Sequence, residues 1–192
     1  MARTIALAHH GAELAGSGGD NPRVEKPAPT EVLVREATPA ERAEVARITV
    51  KAYREYAVRM SAQAWAEYEA DLSDIDGRAV NGVILVAEVE GALAGALAHF
   101  RPGRIGSDWL PPDWAYFRAL AVLPTYRGRG VGHALTKASI ARARAEGAAA
   151  LALHTTEVMP VARAMYERMG FVLHSELQGS SWKYWLYVIR VS

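Results

Sequence analysis

The stretch LAVLPTYRGRGVG, residues 120–132, decides the fold of this chain. Its first residues close an apolar run, its middle is a short proline-containing turn, and its end carries glycine at alternate positions. From Val131 onward, small apolar residues recur at helical spacing, which predicts one buried helix face. The stretch is therefore predicted to lead from a buried strand into the first turn of a helix.

The predicted turn has the properties of an anion cradle. Glycines let the backbone approach a ligand closely, and the first N–H groups of a helix have no internal partner and carry partial positive charge. Arg127 and Arg129 add positive charge, which suits a diphosphate. The sequence has no Lys-Ser or Lys-Thr pair, as a P-loop requires, and His133 stands where a dinucleotide fingerprint has its third glycine. On these residues alone, a nucleotide site or an ordinary glycine-rich connection stays open.

Two longer patterns resemble the signatures of the GNAT N-acetyltransferase superfamily. Arg127, Gly130 and Gly132 match its coenzyme A pyrophosphate loop, Arg-x-x-Gly-x-Gly. Residues 160–171 match its second signature, Ala-x-x-x-Tyr-x-x-x-Gly-Phe, with Tyr166 in the centre. The signatures occur in the expected order, so the resemblance covers residues from about 31 to the end of the chain.

The resemblance implies a fold and a co-substrate, acetyl-CoA, with no metal. The expected fold is a single α/β domain with a central mixed, mostly antiparallel sheet flanked by helices. Its fourth and fifth strands, 115–122 and 149–155, are expected to splay apart and admit the pantetheine arm. Main-chain groups of the fourth strand would pair with the pantetheine, and the turn would hold the pyrophosphate. The implied cofactor-binding residues are Leu120, Ala121, Val122, Arg127, Gly128, Arg129, Gly130, Val131, Gly132 and Met159.

Tyr166 is the candidate catalytic residue. Acetyl transfer from a thioester to an amine releases a thiolate, and a thiol with a pKa of about 8.5 can be reprotonated by a tyrosine with a pKa of about 10. The alternative is that Tyr166 packs as plain core with Ala162 and Met169, its neighbours on one helix face.

Two departures from the family pattern bear on the cofactor contact and on the proton acceptor, in that order. Met159 stands where the family often has asparagine, and Tyr116 stands where it often has a carboxylate that acts as general base. A water relay or selection of the free amine is the favoured hypothesis. The other candidates are Glu67, Glu69, Asp71, Asp113 and Glu157. The function is thus predicted to be amine acetylation by direct attack; the alternative is a non-catalytic acyl-CoA-binding or regulatory module.

The amino-acid composition limits the classes of partner that the chain is expected to bind. The chain has 192 residues, 51% of them hydrophobic and 22% charged, and a net charge of +1, which give no sign of a nucleic-acid or membrane surface. There is no cysteine, which removes disulfides and a cysteine nucleophile and fits a cytoplasmic protein. A small-molecule or peptide amine is expected as substrate, and a homodimer stays open. Residues 1–30, rich in glycine and proline, are predicted to form a flexible tail before a domain at 31–192.

Patterns along the rest of the chain predict the other elements. A threonine cap at Thr38 predicts a helix that carries Tyr56 on its buried face, and glycine stops at Gly147 and Gly170 end the last two predicted helices. The predicted strands are 32–36, 83–89, 93–100, 115–122, 149–155, 171–177 and 182–191, and the later predicted helices are 62–72, 131–146 and 159–169.

Overall fold

The computed structural model describes residues 31–105, 110–178 and 182–192. The predicted tail, 1–30, lies outside the described residues, so its separation from the domain stays a prediction. Parts of the predicted loop 101–113 and of the turn 178–181 lie outside them as well.

Strands and helices alternate through the middle of the chain, as predicted. The strands are β1 (Val32–Glu36), β2 (Val83–Val89), β3 (Ala92–Phe100), β4 (Trp114–Val122), β5 (Ala150–Thr156), β6 (Val172–Gln178) and β7 (Lys183–Arg190). The α-helices are α1 (Arg42–Tyr53), α2 (Ala62–Ser73), α3 (Ile75–Asn81), α4 (Val131–Ala145) and α5 (Pro160–Arg168).

The strands form one seven-stranded sheet in the order β1-β2-β3-β4-β5-β7-β6. The β4–β5 pair is parallel, and every other neighbouring pair is antiparallel. This arrangement confirms the predicted α/β class and the mixed, mostly antiparallel sheet.

The central strand β4 changes partners along its length, and this creates the opening in the sheet. It pairs with β5 only from Trp114 to Phe117, the latter opposite Leu153. One residue later its register with β3 shifts, and Ala119 adopts a φ of 54°, which is uncommon for a residue with a side chain. Beyond this bulge β4 stays on β3 and leaves β5, so the predicted splay is confirmed.

Helices cover both faces of the sheet. One face packs against α4 and α5 through a core that includes Leu135, Phe117 and Leu153, all almost fully buried. The other face packs against α1 and α3, and α2 lies against α1. The opening between β4 and β5 therefore connects two helical layers.

Two local features differ from the sequence prediction. The short helix α3 has only seven residues, too few for an amphipathic pattern, and begins with a cap in which the Asp74 carboxylate accepts from the Gly77 N–H at 2.8 Å. Helix α1 ends at Tyr53, and a 3-10 segment, Arg54–Arg59, leads into α2. Tyr56 therefore lies on this tighter turn rather than on the buried face of the helix, because the chain must reverse before Ser61 caps α2.

Candidate active site

A cleft of about 650 Å³ opens where β4 and β5 separate. Its walls are the end of α1, the diverging half of β4, the glycine turn (residues 127–132), the end of β5 and the start of α5. Most of the sequence-predicted residues line it, namely Leu120, Val122, Arg127, Gly128, Gly130, Val131, Gly132, Met159 and Tyr166. Ala121 and Arg129 do not.

The glycine turn presents backbone to the cleft. Gly128 and Gly130 have φ values of 76° and 84°, in the left-handed region that glycine adopts without strain. Gly130 is the N-cap of α4, and no side chain caps this helix. The first N–H groups of α4 therefore remain available to an anionic ligand, together with the positive end of a 15-residue helix.

Both arginines of the turn face carboxylates. Arg127 binds Glu55 through two nitrogens, at 2.7 and 3.0 Å, and donates to the Ala52 carbonyl at 3.0 Å. Arg129 donates to Glu90 at 2.6 Å and lies over the Tyr126 ring. The turn is thus anchored to α1 and to the β2–β3 hairpin. The positive charge of each arginine is already partly offset by a carboxylate.

The diverging half of β4 offers main-chain groups to the cleft. The Leu120 carbonyl accepts a hydrogen bond from the Tyr53 hydroxyl at 3.1 Å, which ties β4 to α1. A carbonyl has two lone pairs, so a second donor can still bind it. Ala121 is only 1% exposed and packs against α1, so any contact it makes with a ligand must use its backbone.

Tyr166 lies where the α4–α5 layer meets the cleft. Its ring makes edge contacts with Phe117 and Phe171, with centroids 5.9 and 5.8 Å apart, and its side chain is nearly buried. This burial raises the pKa of the phenol well above its usual value. Met159 is the N-cap of α5 and makes no side-chain cap hydrogen bond, as its side chain predicts.

The fork is the point at which β4 and β5 diverge, just after the last pair, Phe117 with Leu153. Three side chains at the fork were not among the predicted site residues. Tyr116, Arg118 and His154 lie on the sheet face that packs against α1 and α3, called the α1–α2 face below because α2 lies against α1 on that side, and the last two line the cleft. The Tyr116 hydroxyl is 3.1 Å from His154 Nδ1. Burial, and then the charge of Arg118, lowers the pKa of His154 to about 4, so its imidazole is neutral near pH 7. The available signal was Arg118, the single charge in an apolar strand.

Carboxylates are scarce around the cleft. Among the described lining residues the carboxylate is Glu55, which is bound by Arg127. None of the five acids considered as a base lines the cleft. Three of them contact other side chains: Glu67 contacts Gln63, Glu69 contacts Arg54, and Asp71 contacts two arginines.

Sequence comparison identifies the family. Residues 44–171 match the model of the acetyltransferase (GNAT) family. The match spans more than half of the chain, so the protein belongs to the GNAT acetyltransferase family. No curated protein sequence matches the chain significantly.

Solved structures share the fold. An N-acetyltransferase, PaiA, from Thermoplasma acidophilum, solved with coenzyme A, has a TM-score of 0.67 at 13% identity, over 83% of this chain and 99% of that chain. A GNAT acetyltransferase from Brucella melitensis with acetyl-CoA scores 0.58 at 22% identity, over 85% and 90%. The ribosomal-protein-S18-alanine N-acetyltransferase of Escherichia coli scores 0.61 at 16% identity, over 84% and 95%. At such low identities these structural similarities show a shared fold alone.

The described residues contain neither a cluster suited to a metal ion nor a helix suited to crossing a membrane. No cluster of three or more His, Asp or Glu side chains in ranges 31–105, 110–178 and 182–192 is arranged to hold a metal ion. None of the helices in this part of the chain has the length and apolar content needed to cross a membrane.

Proposed function

We propose that this protein transfers the acetyl group of acetyl-CoA to a primary amine by direct attack. One observation carries the proposal: a single cleft joins an uncapped, glycine-built helix N-terminus to the phenol of Tyr166. The first suits a diphosphate and the second suits a departing thiolate. The absence of cysteine fits direct attack and a cytoplasmic location.

The cofactor end would work mainly through the backbone. The N–H groups of residues 128–132 would donate to the pyrophosphate, and main-chain groups of Leu120 to Val122 would pair with the pantetheine amides. Arg127 and Arg129 would contribute less than free arginines, because each already faces a carboxylate. Met159 would contact the pantetheine by packing alone.

Tyr166 would act as the general acid. The amine nitrogen bonds to the thioester carbon, the C–S bond breaks, and the sulfur takes the phenolic proton. The raised pKa keeps Tyr166 protonated near neutral pH, which is the form an acid requires. The raised pKa also makes proton transfer to a thiolate, whose thiol has a pKa of about 8.5, uphill. The phenolate left behind would therefore be reprotonated through water by the proton that the amine nitrogen loses, while the thiol keeps the phenolic proton and leaves.

The proton of the incoming amine would leave through water. The carboxylate at the cleft is neutralised by Arg127, and His154, with a pKa of about 4, is too weak a base to hold an ammonium proton at equilibrium. These features support a water relay or the capture of free amine from solution. Under this proposal no single carboxylate is essential.

Thiol release tests the proposal. We expect acetyl-CoA with a panel of small primary amines and peptides to give amine-dependent free thiol, while calorimetry shows acetyl-CoA binding. Binding without thiol release from any amine would contradict acetyl transfer and favour the non-catalytic acyl-CoA-binding module.

A further inference from the structure

Two arginines share one carboxylate beside the cleft. Arg118 Nη2 donates to Asp71 Oδ2 at 2.7 Å, and Arg78 Nη2 donates to the same oxygen at 3.2 Å. Arg78 also donates to the main-chain carbonyls of Asp71 and Leu72 at the end of α2. One negative charge therefore faces two guanidinium groups, which leaves a net positive charge of one in this cluster.

That charge belongs to Arg118. The side chain of Arg78 is 5% exposed, whereas that of Arg118 is 41% exposed. A buried cation depends on its carboxylate, and Arg78 Nε already has no hydrogen-bond partner within the described residues. Asp71 is therefore needed by Arg78. Arg118 keeps most of its five N–H donors for another acceptor.

The position of Arg118 places these donors at the fork of the sheet. It is the first residue of β4 beyond the last pair with β5, and His154 is the matching residue of β5. Both line the cleft on the α1–α2 face, across the sheet from Tyr166 and α5. A ligand at Arg118 would thus approach the fork from the face opposite Tyr166.

Within the part of the chain that the structure describes, the rest of this wall offers no free counter-charge. Arg59 also lines the cleft and is exposed, which adds a second cation. Glu55, the carboxylate among the described lining residues, is bound through both oxygens to Arg127. The diphosphate would bind the N–H groups of the glycine turn, at the opposite end of segment 118–132 from Arg118. The charge at the fork is left for the acceptor.

Resting on the proposed acetyl transfer, we infer that the acceptor is an amine that also carries a carboxylate, and that Arg118 binds this carboxylate. A planar guanidinium suits a carboxylate because two parallel hydrogen bonds can form. A bound carboxylate would also offset the charge that, after burial, holds the pKa of His154 low.

Matched acceptors test this inference. Glycine, β-alanine, γ-aminobutyrate and phenylalanine, each compared with its carboxamide at equal free-amine concentration, would be assayed for kcat/KM by thiol release. We expect at least one acid to exceed its amide by about tenfold, the effect of one charge-assisted contact. Arg118→Gln should bring this ratio close to one, and Arg118→Lys should keep part of it.

Arg42→Gln is the control. Arg42 forms a similar pair with Asp76, at 2.7 Å and 39% side-chain exposure, and lies outside the cleft. It should leave the ratio unchanged, and no variant should change the KM for acetyl-CoA. Amides preferred throughout, or a ratio that survives Arg118→Gln, would overturn the inference.

Binding separates this result from failure of the proposed function. If no amine is acetylated, calorimetry of the same acids and amides with the coenzyme A-loaded protein replaces kinetics. Tighter binding of an acid that is lost in Arg118→Gln but kept in Arg42→Gln would support the carboxylate site without acetyl transfer. Equal binding of acids and amides would overturn it.

Discussion

The two ends of the cleft are built in different ways. At the glycine turn, one contiguous segment presents its backbone, and the arginines beside it are engaged with Glu55 and Glu90. At the fork, side chains from several elements converge, namely Tyr53 of α1, Tyr116 and Arg118 of β4 and His154 of β5.

Contacts made by the main chain and contacts made by side chains depend on the sequence to different degrees. Backbone N–H groups are the same in any sequence that folds this way, so the turn can serve one cofactor in proteins with little sequence identity. Side chains at the fork can change singly without changing the fold, so they are suited to select the acceptor. Tyr166 lines the same cleft from the α4–α5 layer and should affect chemistry more than the binding of either substrate.

The largest effect is expected at Tyr166. Tyr166→Phe should lower kcat by about 10² to 10⁴, because it removes the proton donor to the thiolate and keeps the ring. Steady-state kinetics would measure this change, and calorimetry should show unchanged coenzyme A affinity. The mutant Met165→Leu, at a neighbouring position on α5, is the packing control and should retain activity. A fully active Tyr166→Phe would make Tyr166 a core residue.

The glycine turn provides the next effect. Gly132→Asp should weaken coenzyme A binding by about 100-fold or more through like-charge repulsion with the pyrophosphate. The fold should persist, because an added Cβ would lie 3.5 Å from Met165 Sδ and 3.6 Å from Val122 Cγ2, both ordinary contacts, and because an acid suits a helix N-terminus.

Gly132→Asn is the matched control for that charge. It has nearly the same shape, so calorimetry should show a much smaller loss of coenzyme A affinity than for Gly132→Asp. Melting temperatures of both variants should stay near that of the parent. Equal losses in the two variants would mean that shape, and not charge, governs the turn.

We expect the environment of His154 at the fork to affect how the free energy of unfolding depends on pH. His154 has a pKa of about 4 in the folded chain and about 6.5 when unfolded, so between these values the unfolded state binds more protons. The free energy of unfolding should therefore fall as pH drops from about 6.5 to 4. His99, whose pKa burial also lowers, adds to the same slope.

His154→Asn isolates the contribution of the fork. Chemical denaturation between pH 7 and pH 4 should give a smaller loss of unfolding free energy for this variant than for the parent. His99 is intact in both proteins, so it cancels in the comparison. Parallel pH profiles would show that His154 titrates normally and that the fork is not a desolvated, positive environment.

The smallest effect is expected at Arg127. Its charge is shared with Glu55, so Arg127→Ala should weaken coenzyme A binding by about 1 kcal/mol or less in calorimetry, near the range of exposed ion pairs. Glu55→Gln should tighten binding slightly by releasing the guanidinium. A loss of several kcal/mol for Arg127→Ala would show that the arginine leaves Glu55 when the cofactor binds.

The sequence predicted the strand–turn–helix unit at one end of the cleft because the signals for it are local. Alternating glycines, a helical apolar pattern and a strand before them specify a strand–turn–helix unit within a short segment, and the structure has this unit. The glycine stops at Gly147 and Gly170 also appear, with φ values of 72° and 90°. The separation of β4 from β5 was predicted from family resemblance.

The fork could not be predicted in the same way because it depends on tertiary contacts. Arg118 meets Asp71 across 47 positions of sequence, and Tyr53 meets the Leu120 carbonyl across 67. The bulge at Ala119 has no glycine or proline to announce it. Helix α3 is too short for a periodic signal, and the pairing of Arg127 with Glu55 required α1 to be placed.

A crystal structure with coenzyme A bound tests the central claim most directly. We expect pyrophosphate oxygens within hydrogen-bond distance of the N–H groups of residues 128–132, the pantetheine between β4 and β5, and the sulfur beside the Tyr166 hydroxyl. Arg118 would remain free of the cofactor, on the opposite face of the fork. Coenzyme A bound outside the cleft, or its phosphates held by Arg118, would contradict the account.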